Sequence, residues 1–224
     1  MPEIILASSS PRRIELLNQL GLDFSVVSPE IDEAILDGES NLDYVSRMSR
    51  EKADCVFASE VQNGDKIVLG GDTVVIIDGE LLGKPINRDS AIGMLLRLSG
   101  STHQVVTSIS IAGKKKKNPP GDNTQAEIVC FDSLLVETNV RFRVLTIGEC
   151  ERYWDTGEPA DKAGAYGIQG LGAVFVANLE GSYSNVVGLP LLETAQLLSQ
   201  YGIECLPGKK QTDTNMLKDV VQHG

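Results

Sequence analysis

Ile4-Ile5-Leu6-Ala7-Ser8-Ser9-Ser10-Pro11-Arg12-Arg13 passes from an apolar run into a polar turn, and Ile14, Leu16, Leu17 and Leu20 follow at helical spacing. The reading is strand, turn, helix. Ser10 suits the N-cap, Pro11 the first helical position where a missing N–H costs nothing, and Gly21 the far end. Such a junction directs free backbone N–H groups, two guanidiniums and several hydroxyls at one place, which is how a helix start can hold phosphate without a Walker loop. Taken alone, Ser8 to Arg13 reads more simply as a capped surface helix with two solvated arginines, so the rest of the chain has to decide.

Working outward, Phe24 to Val27 reads as a short strand and Asn41 to Val61 as a helix through Leu42, Val45, Met48, Val56 and Phe57. Lys66 to Leu69 and Thr73 to Ile77 are apolar runs joined by Gly70-Gly71-Asp72, which puts Asp72 at a strand end. Asp78-Gly79 signals a tight turn toward Leu81-Leu82-Gly83-Lys84. Asn87 caps a helix carrying Ile92, Leu95, Leu96 and Leu98, which Gly100 ends. The stretches 104–111 and 127–145 form a long antiparallel hairpin. Its connection, about 113–125, holds Lys114 to Lys117 and Asn118-Pro119-Pro120-Gly121-Asp122-Asn123, and reads as a solvated loop. Thr146 and Glu149 have capping-box spacing ahead of a helix through Trp154, which Gly157 stops. A glycine-rich loop at 161–172 leads to a strand at Ala173 to Val176, and Leu191 to Tyr201 is the last helix. The expected fold is α/β, a mixed twisted sheet flanked by helices, with one domain over 1–207 and a mobile tail over 208–224.

With 224 residues, 42% of them hydrophobic, the chain can bury one sizeable core with room for two lobes around a cleft. A formal net charge of −11 argues against coating nucleic acid, so a polyanionic ligand would have to be held locally. Four cysteines without C-x-x-C spacing and two histidines offer no zinc set. Neither a run approaching the roughly 20 apolar residues of a spanning helix nor a secretory pattern is present. The expectation is a cytoplasmic protein with reduced thiols, bound to no membrane.

Three places can carry chemistry. Asp72 follows two glycines that let a ligand or another backbone come close, though a turn carboxylate bonding its own amides explains the residue as well. Lys84 stands between Gly83 and Pro85, where Asp72 and Lys84 can bind Mg²⁺ and phosphate or form a surface ion pair. The third place is Asp161-Lys162-Ala163-Gly164-Ala165-Tyr166-Gly167-Ile168-Gln169-Gly170 with Gly181-Ser182-Tyr183-Ser184-Asn185, glycines interleaved with polar side chains that suit a small ligand against backbone. Neither histidine lies near a promising Ser or Cys, which sets nucleophilic hydrolysis aside.

These pieces, together with Gly157-Glu158-Pro159 and Val186-Val187-Gly188-Leu189-Pro190, give the chain a resemblance to the Maf family of nucleoside triphosphate pyrophosphatases, in order over roughly residues 3–206. Within it, Ala-Gly-Ala-Tyr-Gly-Ile-Gln-Gly and Gly-Ser-Tyr-Ser-Asn-Val-Val-Gly resemble the subgroup acting on dTTP and UTP rather than its sister subgroup, which acts on 7-methyl-GTP. The resemblance implies cleavage between the α and β phosphates, a divalent metal such as Mg²⁺, a homodimer, and an elongated two-lobed fold with a central cleft similar to inosine triphosphate pyrophosphatases. By position it implies Asp72 as proton acceptor, Arg12, Thr73 and Gln169 as specificity positions, and Glu33, Lys52 and Lys84 as further polar residues of the cleft. In that scheme Ser8, Arg12, Arg13 and Lys52 hold the phosphates, and Asp72 with Glu33 binds the metal. Tyr166 or Tyr183 would lie flat against the base. A nucleotide-binding regulator of cell division without turnover is the alternative class, and it needs Arg12 and Lys84 but no water-activating carboxylate.

Overall fold

The computed structural model describes residues 2–60, 65–117 and 126–206, with side chains at 116, 117 and 126–128 left aside. In chain order the elements are β1 (Glu3–Ala7), α1 (Pro11–Asn18), β2 (Phe24–Val27), α2 (Asn41–Glu60), β3 (Lys66–Ile77), β4 (Glu80–Leu82), α3 (Arg88–Leu98), β5 (Thr102–Lys117), β6 (Ala126–Phe142) and α4 (Ile147–Asp155). Three 3₁₀ turns, Glu158–Asp161, Ala163–Ala165 and Leu171–Phe175, then lead to β7 (Val176–Glu180), α5 (Tyr183–Val187) and α6 (Leu191–Ser199). The described strands make one seven-stranded sheet in the order β2-β1-β3-β5-β6-β7, with β4 on the end of β3. β1 runs parallel to β2 and β3, and the remaining pairings are antiparallel, so the sheet is mixed.

Side chains alternate across a strand, and β3 shows what each face meets. Ile67 and Leu69 pack with Leu16 and Leu17 of α1 and Leu197 and Leu198 of α6, whereas Val75 and Ile77 pack with Leu95 and Leu98 of α3. Two cores therefore share one strand face, separated at Gly71 and Thr73. The opposite face, through Val68, Val74 and Ile76, lies along α2.

The strand–turn–helix reading of the N-terminus holds, as do the hairpin at Asp78-Gly79, the Asn87 cap and the full capping box of Thr146 and Glu149. Ser10 sits at the N-cap of α1 but its side chain makes no capping bond; its own N–H donates to Ser8 Oγ at 3.2 Å. β3 is one strand where a break was expected, because its ladder with β5 continues straight through Gly70↔Ser110, Gly71↔Ile109 and Asp72↔Ser108. Gly70 serves α2 rather than a turn. A Cβ there would collide with the Ser49 carbonyl oxygen and come within 2.8 Å of the Ala53 nitrogen.

Lys114 to Lys117 belong to β5, not to a loop, since they pair in register with Val129 to Ala126. Lys115 contacts Asp132 at 2.7 Å and lies over the Tyr201 ring, which anchors a residue type poorly suited to a strand. Residues 118–125, the rest of the expected insertion, residue 207 and the expected tail over 208–224 lie outside the described residues. Ala173 to Phe175 close the last 3₁₀ turn, so the strand expected there begins only at Val176. Among the described residues no helix is long and apolar enough to cross a membrane.

Candidate active site

β1 ends at Ala7, opposite Gly70, and β4 begins to pair with β3 only at Val75. Between them one edge of β3, from Gly71 to Val74, has no strand beside it, while its other edge stays paired with β5. Side chains from both faces of the sheet can reach this gap. Ser8 and α1 border one side, Gly83 and Lys84 the other, so the chain's turns converge where the strand neighbours diverge. A cleft of about 910 Å³ opens there, and Ser8, Arg12, Arg13, Glu33, Lys52, Asp72, Thr73, Lys84 and Gln169 all line it. The expected site residues, spread over the sequence, share one cavity.

On one face, Lys52 from α2 reaches Asp72 Oδ1 and Glu33 Oε1, each at 2.7 Å. Lys52 is 7% exposed, and a buried ammonium needs such partners. Burial pushes the Glu33 carboxyl up, but the hydrogen bond and charge of Lys52, then Lys84 and Arg13, outweigh it and hold the group below the ordinary carboxylate value. Tyr44 donates to the Glu33 carbonyl at 3.1 Å, and burial, followed by the charges of Asp72 and Glu33, pushes its phenol up to about 12.

On the other face, Arg13 donates from Nε to Gly188 O at 2.8 Å, from Nη2 to Thr73 Oγ1 at 3.0 Å, and from Nη1 to Ser8 Oγ at 3.4 Å. Burial lowers its pKa, partly offset by Asp72. Thr107 spends its proton on Asn185 O at 2.9 Å, so Thr73, 3.0 Å away, donates to Thr107. Arg13 is thus fixed by protein partners at the cleft floor, whereas Arg12 makes a contact of 3.3 Å with exposed Asp161 across the mouth. A second contact across the mouth joins Gln169 Nε2 to Glu15 Oε2 at 3.0 Å.

Sequence reasoning assigned no role to two residues that hold the loop beside the cleft, Glu158 and Tyr153. Glu158 accepts from Leu171 N at 2.8 Å, Gly172 N at 3.1 Å and Tyr153 OH at 2.7 Å, and so fixes the loop that carries Gln169. Tyr153 OH in turn accepts from Gly167 N at 3.0 Å. Conversely, Gly181 to Asn185 is not ligand-facing as expected. Ser182 caps α5, and fully buried Asn185 donates to Val105 O and Thr138 Oγ1, which makes this segment a clasp holding α5 to the sheet. Half-exposed Tyr183 does not line the cleft, whereas buried Tyr166 does.

No group of three or more His, Cys, Asp or Glu side chains suited to a metal occurs among the described residues. Asp72 and Glu33 converge on one ammonium, so their oxygens lie no further apart than twice the Lys52 distance. Lys52 uses Asp72 Oδ1 and Glu33 Oε1, and the second oxygen of each carboxylate, completed by phosphate oxygens and water, fits Mg²⁺, which is seldom caged by protein alone.

Fold and cleft together define a class: an α/β protein whose sheet gap gathers Arg12, Arg13, Lys52 and Lys84 with Asp72 and Glu33. Residues 3–201 match the family described as Maf-like protein, and the chain belongs to the Maf family. It is 48% identical over 201 residues to a dTTP/UTP pyrophosphatase of Hahella chejuensis, covering 90% of this chain and 93% of that protein. A dTTP/UTP pyrophosphatase of Symbiobacterium thermophilum is 46% identical over 208 residues, covering 93% of this chain and 98% of the relative. Among solved structures, the Staphylococcus aureus Ham1 protein aligns with a TM-score of 0.40 and 16% identity over 62% of this chain and 71% of that one.

Proposed function

We propose that the cleft hydrolyses dTTP and UTP to the nucleoside monophosphate and pyrophosphate. The observation that carries this reading is the convergence of Arg12, Arg13, Lys52 and Lys84 with Asp72 and Glu33 at one gap in the sheet, in a chain nearly half identical to proteins named for that activity. Anhydride hydrolysis depends chiefly on neutralising and positioning the phosphates. Arg12 exchanges its exposed contact with Asp161, an interaction of small worth in water, for the phosphate chain. Arg13, tied to Gly188 and Thr73, presents its charge from a fixed position. Asp72 takes the proton of the attacking water as the bond between the α and β phosphates breaks and pyrophosphate leaves. Mg²⁺, held by Asp72 and Glu33, supplies further charge neutralisation when bound. Gln169 faces the polar edge of the base, with Tyr166 as the apolar wall. As the family resemblance implies, the working form is a cytoplasmic homodimer.

The test is a product assay over a nucleotide panel with Mg²⁺ and after chelation, resolving pyrophosphate from orthophosphate. The kcat/KM for dTTP and UTP should exceed that for ATP, GTP and 7-methyl-GTP by about tenfold or more. Asp72→Asn should lower turnover by about 10²–10⁴-fold while nucleotide affinity stays within about tenfold. Release of orthophosphate alone, or an active Asp72→Asn variant, would overturn the reading.

A further inference from the structure

We infer that Glu15 is a positioning residue which fixes the polarity of the Gln169 carboxamide and thereby makes the base site accept uracil and thymine and refuse cytosine. The inference rests on the proposed base-facing role of Gln169. A glutamine amide has an oxygen that only accepts and a nitrogen that only donates, and free in water it turns either way. Gln169 is exposed on its loop, and its nitrogen stands 3.0 Å from Glu15 Oε2 on α1. A carboxylate has lone pairs and no proton, so the amide end that faces it must be the nitrogen. This settles the orientation on chemical grounds.

With Glu15 taking the amide hydrogen that points away from Oε1, the second stays beside Oε1. Oxygen and second hydrogen form an acceptor–donor edge. The N3–H and O4 of uracil or thymine complement it, with N3–H donating to Oε1 and O4 accepting from the nitrogen. Cytosine reverses both groups, since its N3 accepts and its N4 donates. To serve cytosine the amide would have to turn over, which would set Oε1 against the Glu15 carboxylate. Glu15 and Gln169 both border the cleft, and the loop bearing Gln169 is held by Glu158, so the pair is placed to act on a bound base.

The experiment compares kcat/KM for UTP and CTP in the full-length protein and in Glu15→Gln and Glu15→Ala. UTP and CTP carry the same phosphate charge, so the lost charge of Glu15 cancels in their ratio. A glutamine at 15 meets either end of the amide, and an alanine meets neither. Both variants should therefore lower the UTP-to-CTP ratio by about five- to tenfold, with the CTP value rising. Since Glu15 is exposed on α1, thermal midpoints should match the parent. If the two nucleotides change in parallel, or the ratio is unchanged while the parent discriminates, the inference is overturned. A parent that releases no pyrophosphate from UTP would instead overturn the proposed function itself.

Discussion

A methyl group at Gly70 would have to displace backbone rather than a flexible side chain, because the Ser49 carbonyl and the Ala53 nitrogen of α2 already occupy its place. Ser49 fixes this approach from its other side. Its hydroxyl donates to Ser46 O and accepts from Ser108 at 2.7 Å and Ser110 at 2.8 Å, a buried hydroxyl cluster between helix and sheet. Lys52 lies one turn further along the same helix. Gly70→Ala should therefore destabilise the protein by about 1–3 kcal/mol, as overpacking does, and also lower kcat by shifting Lys52 from Asp72. Urea unfolding and pyrophosphate release would check the two effects, and a stable variant with parental turnover would show that α2 can yield. The residue was legible in sequence as a place of close approach, but what approaches was not. Two glycines before an aspartate look like a turn because the helix that needs them is brought there only by the fold.

Among elements, the turns over Glu158–Asp161 and Leu171–Phe175 show how a loop rich in glycine becomes rigid. One carboxylate accepts two backbone N–H groups and a phenol, and those bonds outweigh burial in holding Glu158 below the ordinary carboxylate pKa. A Cβ at Gly170 would run into that carboxylate, so the glycine serves Glu158 rather than the ligand. Glu158→Gln turns an amide NH₂ toward groups that donate. It should cost about 1–3 kcal/mol of stability and loosen Gln169, raising KM for UTP more than it changes kcat. Equal KM values would show that the loop keeps its form without the carboxylate. Periodicity found every helix but the short α5, and most strands, since each lies on one face of a core. It could not link Glu158 to amides 13 and 14 positions away, and it misread Lys114 to Lys117 because four lysines join a strand only when a partner strand and Asp132 stand beside them.

For the molecule as a whole, His103 sets a pH dependence distinct from that of the carboxylates. It is 1% exposed, bonded through Nε2 to Tyr166 OH at 2.8 Å, and burial lowers its pKa to about 4. The unfolded chain, with an ordinary histidine near 6.5, then binds more protons than the native one as the pH falls through this window, so stability is lost on acidification. Between pH 7 and pH 5 the loss should be about 2 kcal/mol, above the range where carboxylates titrate. Replacing His103 by Phe should flatten that part of the profile, and an unchanged slope in urea unfolding would exclude the assignment. The two cores and their shared strand bear on motion as well. β3 and β5 are joined without a break from Ile67↔Gly113 to Ile76↔Gln104, directly beneath the cleft. Swinging one lobe against the other would have to bend that ladder, so the floor resists hinge motion at this point. What opens at the mouth is a latch, the contact of half-buried Arg12 with exposed Asp161, while Glu15 keeps its hold on Gln169. Exposed side chains exchange in picoseconds to nanoseconds, far faster than domain closure, so breaking this latch is not a slow step in the admission of substrate.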